Sequence, residues 1–185
     1  MTNHLNNQLH VGAGERRGAL TVFPVWQPRT VGRPVTLAEV GSVMVEELAQ
    51  PTVPKLQVSG LSEKTVLVLE GDLMLGGQQN RVAIGSTLIG RGQTVEIDVR
   101  CVEQERWSGD RHHETGRERA SALVRSRTDQ HEVWRRVAVE RETRGASVDV
   151  TGLEPLPGQS GVLIAVGGVP VLLELFADEE MLAAA

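Results

Sequence analysis

The segment that most constrains the fold is Val95–Trp107 (VEIDVRCVEQERW), because it alternates with a period of two. Val95, Ile97, Val99 and Cys101 share one face, and Glu96, Asp98 and Arg100 share the other, the pattern of a half-buried β-strand. Two residues further on, the inward face meets Glu103. A carboxylate that continues a core face needs a partner, a shifted pKa or a chemical task. The segment Leu69–Arg81 (LEGDLMLGGQQNR) also carries polar residues where a β-pattern points inward. Function is therefore sought among these polar positions.

At 185 residues, 40% hydrophobic and 23% charged, the chain is long enough to bury an ordinary core. Three Trp, two Phe and no Tyr leave the core to aliphatic residues and provide few stacking platforms. A net charge of −5 excludes a general nucleic-acid binder, which needs a basic footprint. The arginine-dense stretch Arg106–Arg144 is interleaved with acids and reads as a solvated, charge-laced helical surface, with a phosphate-binding face as the alternative. The single cysteine excludes an internal disulfide and a Cys-cluster zinc site, and it fits a reducing compartment. No apolar run has the length of a membrane span, and MTNHLNNQLH lacks the parts of a signal peptide. The expected location is the cytoplasm, without membrane attachment.

Along the chain, residues 1–18 read as a loose tail. Strands are expected at Ala19–Trp26, Ser42–Leu48 and Lys55–Ser59, and a long central strand at Thr65–Leu75 stops at the Gly76-Gly77 turn. Val82–Ile89 and Thr94–Val102 continue the meander. Thr36-Leu37-Ala38-Glu39 has the form of a capping box opening a short helix that Gly41 ends. Ser108–Gly116 reads as a polar loop and Arg117–Thr128 as helix-compatible. Asp129-Gln130-His131-Glu132 forms a second capping box launching a helix to about Glu142. Ser147–Val150 could return as a strand. Gly161–Gly167 and Val169–Phe176 form a final hairpin, and Asp178–Ala185 a short helical end. The predicted class is mostly β (α+β): a β-sandwich or barrel-like meander over residues 19–176, with a helical insertion at about 117–142 packed on one side.

Glu70-Gly71, Gly76-Gly77-Gln78-Gln79-Asn80-Arg81, Cys101-Val102-Glu103 and Arg106-Trp107 together resemble the ARPP-1 domain. Gln130 with Trp134 is similar to the family's later Gln…Val-Trp element, and Gly161…Phe176 to its closing segment. The resemblance runs roughly from Leu20 to Phe176. It implies a prokaryotic stress- or nucleotide-linked setting, and no established reaction.

The candidate ligand-binding residues are Glu70, Gln79, Arg81, Glu103, Arg106, Gln130 and Trp134. Arg81 and Arg106 offer planar forks to a phosphate or carboxylate. Gln79 and Gln130 would hydrogen-bond the remainder, and Trp107 or Trp134 would form a wall. The same residues also suit a buried structural network in which Glu70 and Glu103 neutralise the arginines. Cys101 continues an apolar face and reads as a structural thiol. Asp110, His112, His113, Glu114 and His131 lack zinc-site spacing and are expected at the surface, as is the strand-end pair Glu46-Glu47. Gly12-Ala13-Gly14 follows no strand and is not a dinucleotide fingerprint. The LEGDLMLGG…GSTLIGRGQTVEI segments look like a cupin strand pair without the metal ligands. No metal or cofactor is expected.

These residues support a binding or regulatory module for a small anionic metabolite, ADP-ribose or nucleotide-like, or for a partner protein. The alternative is a hydrolase of a phosphorylated or ADP-ribosylated substrate with Glu103 or Glu70 as a base whose pKa is raised by burial. A structural or assembly role, with the Val162–Phe176 hairpin as an edge that pairs with another copy, is a third reading.

Overall fold

The computed structural model describes residues 9–28, 35–125, 129–143 and 148–185. They belong to two compact units, Arg33–Arg144 and a unit made of Met1–Gly32 with Gly145–Ala185. The N-terminal segment carries β1 (His10–Val11), β2 (Glu15–Arg17) and β3 (Leu20–Trp26). The inserted unit carries β4 (Val35–Leu37), β5 (Val43–Glu46), β6 (Lys55–Gly60), β7 (Thr65–Val68), β8 (Asp72–Gly76), β9 (Arg81–Ala83), β10 (Thr87–Ile89), β11 (Thr94–Cys101), β12 (His112–Arg119), α1 (Ala122–Arg125) and α2 (Gln130–Thr143). The C-terminal segment adds β13 (Gly161–Val166), β14 (Val169–Leu175) and α3 (Glu179–Ala184).

The protein is mostly β, as its alternation predicts, and the inserted unit is a closed barrel in the order β11-β6-β5-β12-β8-β9. Closure leaves those strands no unpaired edge. Val45, Leu56, Val58, Met74, Ala83, Ile97 and Val99 fill the interior, joined by Val66, Val68 and Ile89 of a three-stranded sheet, β10-β7-β4. Aliphatic side chains thus build the core, each fully buried one stabilising by about 1.5–3 kcal/mol. On the outer face, Val82 of β9 packs with Val124 of α1 and Val133 of α2, which seats the helices on one side. Asp129 caps α2 by accepting the Glu132 N–H at 3.0 Å, as its capping box predicts.

Four local expectations are corrected. Thr36–Leu37 is not helical but lies in β4, parallel to β7, while Glu39 and Ser42 close a turn through mutual hydrogen bonds at 2.8–2.9 Å. A one-turn helix gains too little to compete with sheet pairing. The Thr65–Leu75 run is broken: Asp72 accepts the Leu69 N–H at 2.8 Å, Gly71 takes φ +92°, and β7 and β8 enter different sheets. Third, the polar stretch from His112 is a barrel strand, paired with β5 on one side and β8 on the other. It consumes the start of the expected helix, which is limited to α1 before α2; residues 126–128 lie outside those described. Finally, residues 148–150 join no strand, and Ser147 lies outside the described residues.

In the terminal unit, β3 pairs with β13, β13 with β14, and β1 and β2 both pair with β3. The described part of the expected tail therefore contributes two short strands, His10–Val11 and Glu15–Arg17, and residues 1–8 lie outside those described. Gly12 and Gly14 lie against the Trp26 and Phe23 rings, where an added Cβ would sit 2.8 and 2.6 Å from ring carbons. Gly167 and Gly168, both at positive φ, form the β13–β14 turn.

Candidate functional site

Polar side chains enter one end of the barrel on strands whose neighbouring positions are apolar. Cys101 of β11 is opposite Arg81 of β9, and Arg81 is opposite Met74 of β8. Thr115 of β12 is opposite Met74 in turn, and all four side chains are buried. Two residues before Thr115, on the same face, stands His113. Glu47 follows β5 in the inward phase set by Val43 and Val45. The side chains of Arg81, Glu47 and His113 each have 0% exposure.

Glu47 is the hub. Its Oε1 lies 3.2 Å from His113 Nε2, accepts the Gln78 N–H at 3.3 Å and faces Arg81 Nη2 at 3.6 Å. His113 Nδ1 is 3.4 Å from the Met74 carbonyl. Arg81 Nη1 donates to Gln79 Oε1 at 2.5 Å, and Gln79 Nε2 donates to the Glu103 carbonyl at 3.3 Å. The Cys101 thiol donates to that same carbonyl at 2.6 Å. Trp107, half exposed, roofs the group, its ring centre 5.6 Å from the Arg81 guanidinium carbon. Burial pushes the Arg81 guanidinium below its ordinary pKa, against the support of Glu47 and Cys101. Burial likewise pushes His113 below the usual histidine value, with Glu47 opposing.

Two orphan edges result. Among the described residues, no hydrogen bond reaches Arg81 Nε or Nη2, and none reaches Glu47 Oε2. Nε and Nη2 form the side-on fork of a guanidinium, the edge that binds an oxyanion through two parallel hydrogen bonds.

Arg106 is used differently. It donates to Glu103 Oε2, the carbonyls of Gly77, Ser108 and Gly76, and Asn80 Oδ1, over 2.6–3.2 Å. Its fork staples the 76–80 turn to the 103–108 loop. Glu103 also accepts the Asn80 N–H at 2.9 Å. Burial would raise the Glu103 carboxyl, but Asn80 and Arg106 outweigh it and hold the group below the usual range. That direction is opposite to the one expected of a burial-activated base.

Gln130 pairs both ends of its amide with the Cys101 backbone, accepting its N–H at 2.9 Å and donating to its carbonyl at 2.7 Å. It ties α2 to the end of β11. Trp134 meets His131 edge-on, and among the described residues its indole N–H has no partner. Trp107, rather than Trp134, supplies the wall beside Arg81. Glu70 lies beyond the other end of β8 from Gly76, across roughly 13 Å of strand. There its carbonyl accepts from Arg119 at 2.8 Å, next to Asp72, whose pKa burial pushes up to about 6 against the Leu69 N–H, Arg119 and Arg125.

Thus Gln79, Arg81, Glu103 and Arg106 form one connected network that Gln130 abuts, while Glu70 stands apart. Glu47 and His113 are corrected from surface to fully buried positions. Val43-x-Val45-x-Glu47 carries the same inward alternation that singles out Glu103, so Glu47 had a sequence signal. His113 had none, because its strand is polar. His112 and Asp110 are exposed as expected. Among the described residues, no group of His, Cys, Asp and Glu is arranged to hold a metal ion. No helix among them is long and apolar enough to cross a membrane. The terminal unit has clefts of its own, one of about 540 Å³ between β3, β13 and residues 152–156, with none of the candidate residues in its walls.

A small closed barrel with flanking helices and a buried acid–base network at one end defines the class structurally. The family model described as the ARG and Rhodanese-Phosphatase-superfamily-associated Protein domain, ARPP-1, matches residues 8–151, and the chain belongs to that family. The family's description is one of association with other proteins. No curated relative and no solved structure matches the chain.

Proposed function

We propose that the barrel unit is a binding module for a small anionic metabolite, with Arg81 as the residue that reads the anion. One observation carries this reading: Arg81 is fully buried, yet among the described residues its side-on fork has no hydrogen bond. Buried polar groups are nearly always paired, and an unpaired one calls for an ion or a water. Arg106 is saturated and has no fork to offer. The exposed loop that carries Trp107 covers Arg81. It includes Glu105 at φ +76°, a left-handed conformation that costs a non-glycine residue about 1–2 kcal/mol, and Gly109 at φ +141°. Its single cysteine suits the module to a reducing, cytoplasmic setting, and its family to a prokaryotic stress-linked one.

A hydrolase built on Glu103 has less support, since that carboxylate is tied to Arg106 and Asn80. A protein partner is favoured as a second reading by β14, where Val169, Val171, Leu173 and Leu175 are exposed. Pro170 and Glu174 on the same strand weigh against pairing with a second copy.

The test is a thermal-shift screen of wild type and Arg81→Lys with ADP-ribose, nucleotides, sugar phosphates and inorganic phosphate. A ligand at a hundredfold excess over its Kd adds about 2.7 kcal/mol of stability. A stabilising hit lost in the variant is the expected result; no hit in wild type overturns the reading.

A further inference from the structure

Arg81 is not the only orphan in the site. Its side-on fork consists of donors that make no hydrogen bond among the described residues, Nη2 keeping only its 3.6 Å ion pair with Glu47 Oε1, whereas the atom of Glu47 without a partner is an acceptor. Glu47 Oε1 is engaged by His113, Gln78 and Arg81, and among the described residues Oε2 is buried with no partner. A carboxylate oxygen accepts hydrogen bonds and cannot donate them. A fully ionised oxyanion on the Arg81 fork would therefore set its lone pairs against those of Glu47 in a buried setting. Like-charge juxtaposition of that kind costs several kcal/mol. An oxyanion that keeps a proton satisfies both edges together, accepting from Arg81 and donating its O–H to Glu47.

Resting on the reading of Arg81 as the anion reader, we propose that this site selects oxyanions that carry their own O–H at neutral pH, of the hydrogen-phosphate type, and rejects fully deprotonated ones of the sulfate type. Arg81 supplies attraction and Glu47 supplies discrimination. Specificity here comes from leaving a buried polar group unpaired when the wrong ligand binds, which is a stronger filter than size. Sulfate and phosphate are nearly the same size, so the proton is what distinguishes them. Among the anions of the proposed function this favours inorganic hydrogen phosphate over ADP-ribose and nucleotide phosphoesters, which are mostly without such a proton at pH 7 and could satisfy Glu47 only through a neighbouring hydroxyl.

Isothermal titration of the wild-type chain at pH 7 with phosphate, arsenate, sulfate and nitrate tests this without relying on any variant. Phosphate and arsenate are expected to bind at least about tenfold more tightly than sulfate and nitrate, a difference of roughly 1.4 kcal/mol. In Glu47→Gln the amide can donate to any oxyanion, so the phosphate-to-sulfate ratio is expected to fall toward one. Equal affinity of wild type for all four anions would overturn the selectivity while leaving Arg81 as an anion reader. Binding of none of them overturns the anion reading together with the selectivity built on it.

Discussion

Replacing Glu47 by Gln keeps the shape of the side chain and removes the charge that faces Arg81. The two side chains have 0% exposure and their nearest charged atoms are 3.6 Å apart. At an effective dielectric constant of about 20, that separation corresponds to about 5 kcal/mol of attraction. Removing one partner of a buried pair typically costs about 3–5 kcal/mol, because the remaining charge is left desolvated and uncompensated. For a chain of this size, 1 kcal/mol is about 2–4 °C in Tm, so a fall of roughly 6–20 °C is expected. The assay is a double-mutant cycle by urea denaturation with Glu47→Gln, Arg81→Met and the pair. The double variant should lose about 3 kcal/mol less than the sum of the singles, since the apolar side chain no longer leaves a charge unpaired. Single variants that each cost under about 1 kcal/mol, or that add without coupling, would refute the reasoning, since neither result is compatible with a dry ion pair.

Other perturbations probe the surrounding parts. Gly77 has φ +52°, and a Cβ there would sit 2.1 Å from His113 Nε2, so Gly77→Ala should cost roughly 2–5 kcal/mol, read as a lower urea midpoint; a neutral effect would show that the turn does not rest on the histidine. His113 titrates below its unfolded value, so the unfolded chain takes up the proton first. Its contribution is complete above about pH 6.5 and is lost as pH falls from there toward the folded pKa, a slope that His113→Asn should abolish. Asp72 acts in the opposite sense: with a folded pKa of about 6 against 3.8, its cost is greatest above pH 6 and is relieved as pH falls from 6 toward 3.8, so Asp72→Asn should flatten that limb. Gln130→Ala removes both hydrogen bonds to the Cys101 backbone and should destabilise by about 1–3 kcal/mol, with hydrogen exchange at the Cys101 amide accelerated.

How much was legible in the sequence follows from where side-chain periodicity survives. The Val95–Cys101 alternation gave an eight-residue barrel strand with its correct inward face, and the Asp129 box gave the start of α2. The glycine pair at 167–168 marked the closing hairpin. Periodicity misled at Glu103, because β11 ends at Cys101 and the chain turns, so the carboxylate leaves the barrel for Arg106 while only its carbonyl stays beside Cys101. It was silent for β12, where a polar run is held as strand by ladders on both sides, and its buried His113 is supported by Glu47. Such a strand is specified by its neighbours and has little signal of its own. The capping box at 36–39 misled because Thr36 and Leu37 gain more from pairing with β7 than from a one-turn helix, while Glu39 turns back on Ser42.

The most direct test observes the Arg81 guanidinium itself. In ¹⁵N-edited NMR of the arginine side chains, Arg81 Nε–H should give a resonance protected from solvent and assignable by its loss in Arg81→Lys. On titration with inorganic phosphate, that resonance should shift and saturate with a single Kd, ahead of the exposed arginines. An Arg81 resonance that stays fixed while exposed arginines drift would contradict the claim, leaving Arg81 as a purely structural partner of Glu47.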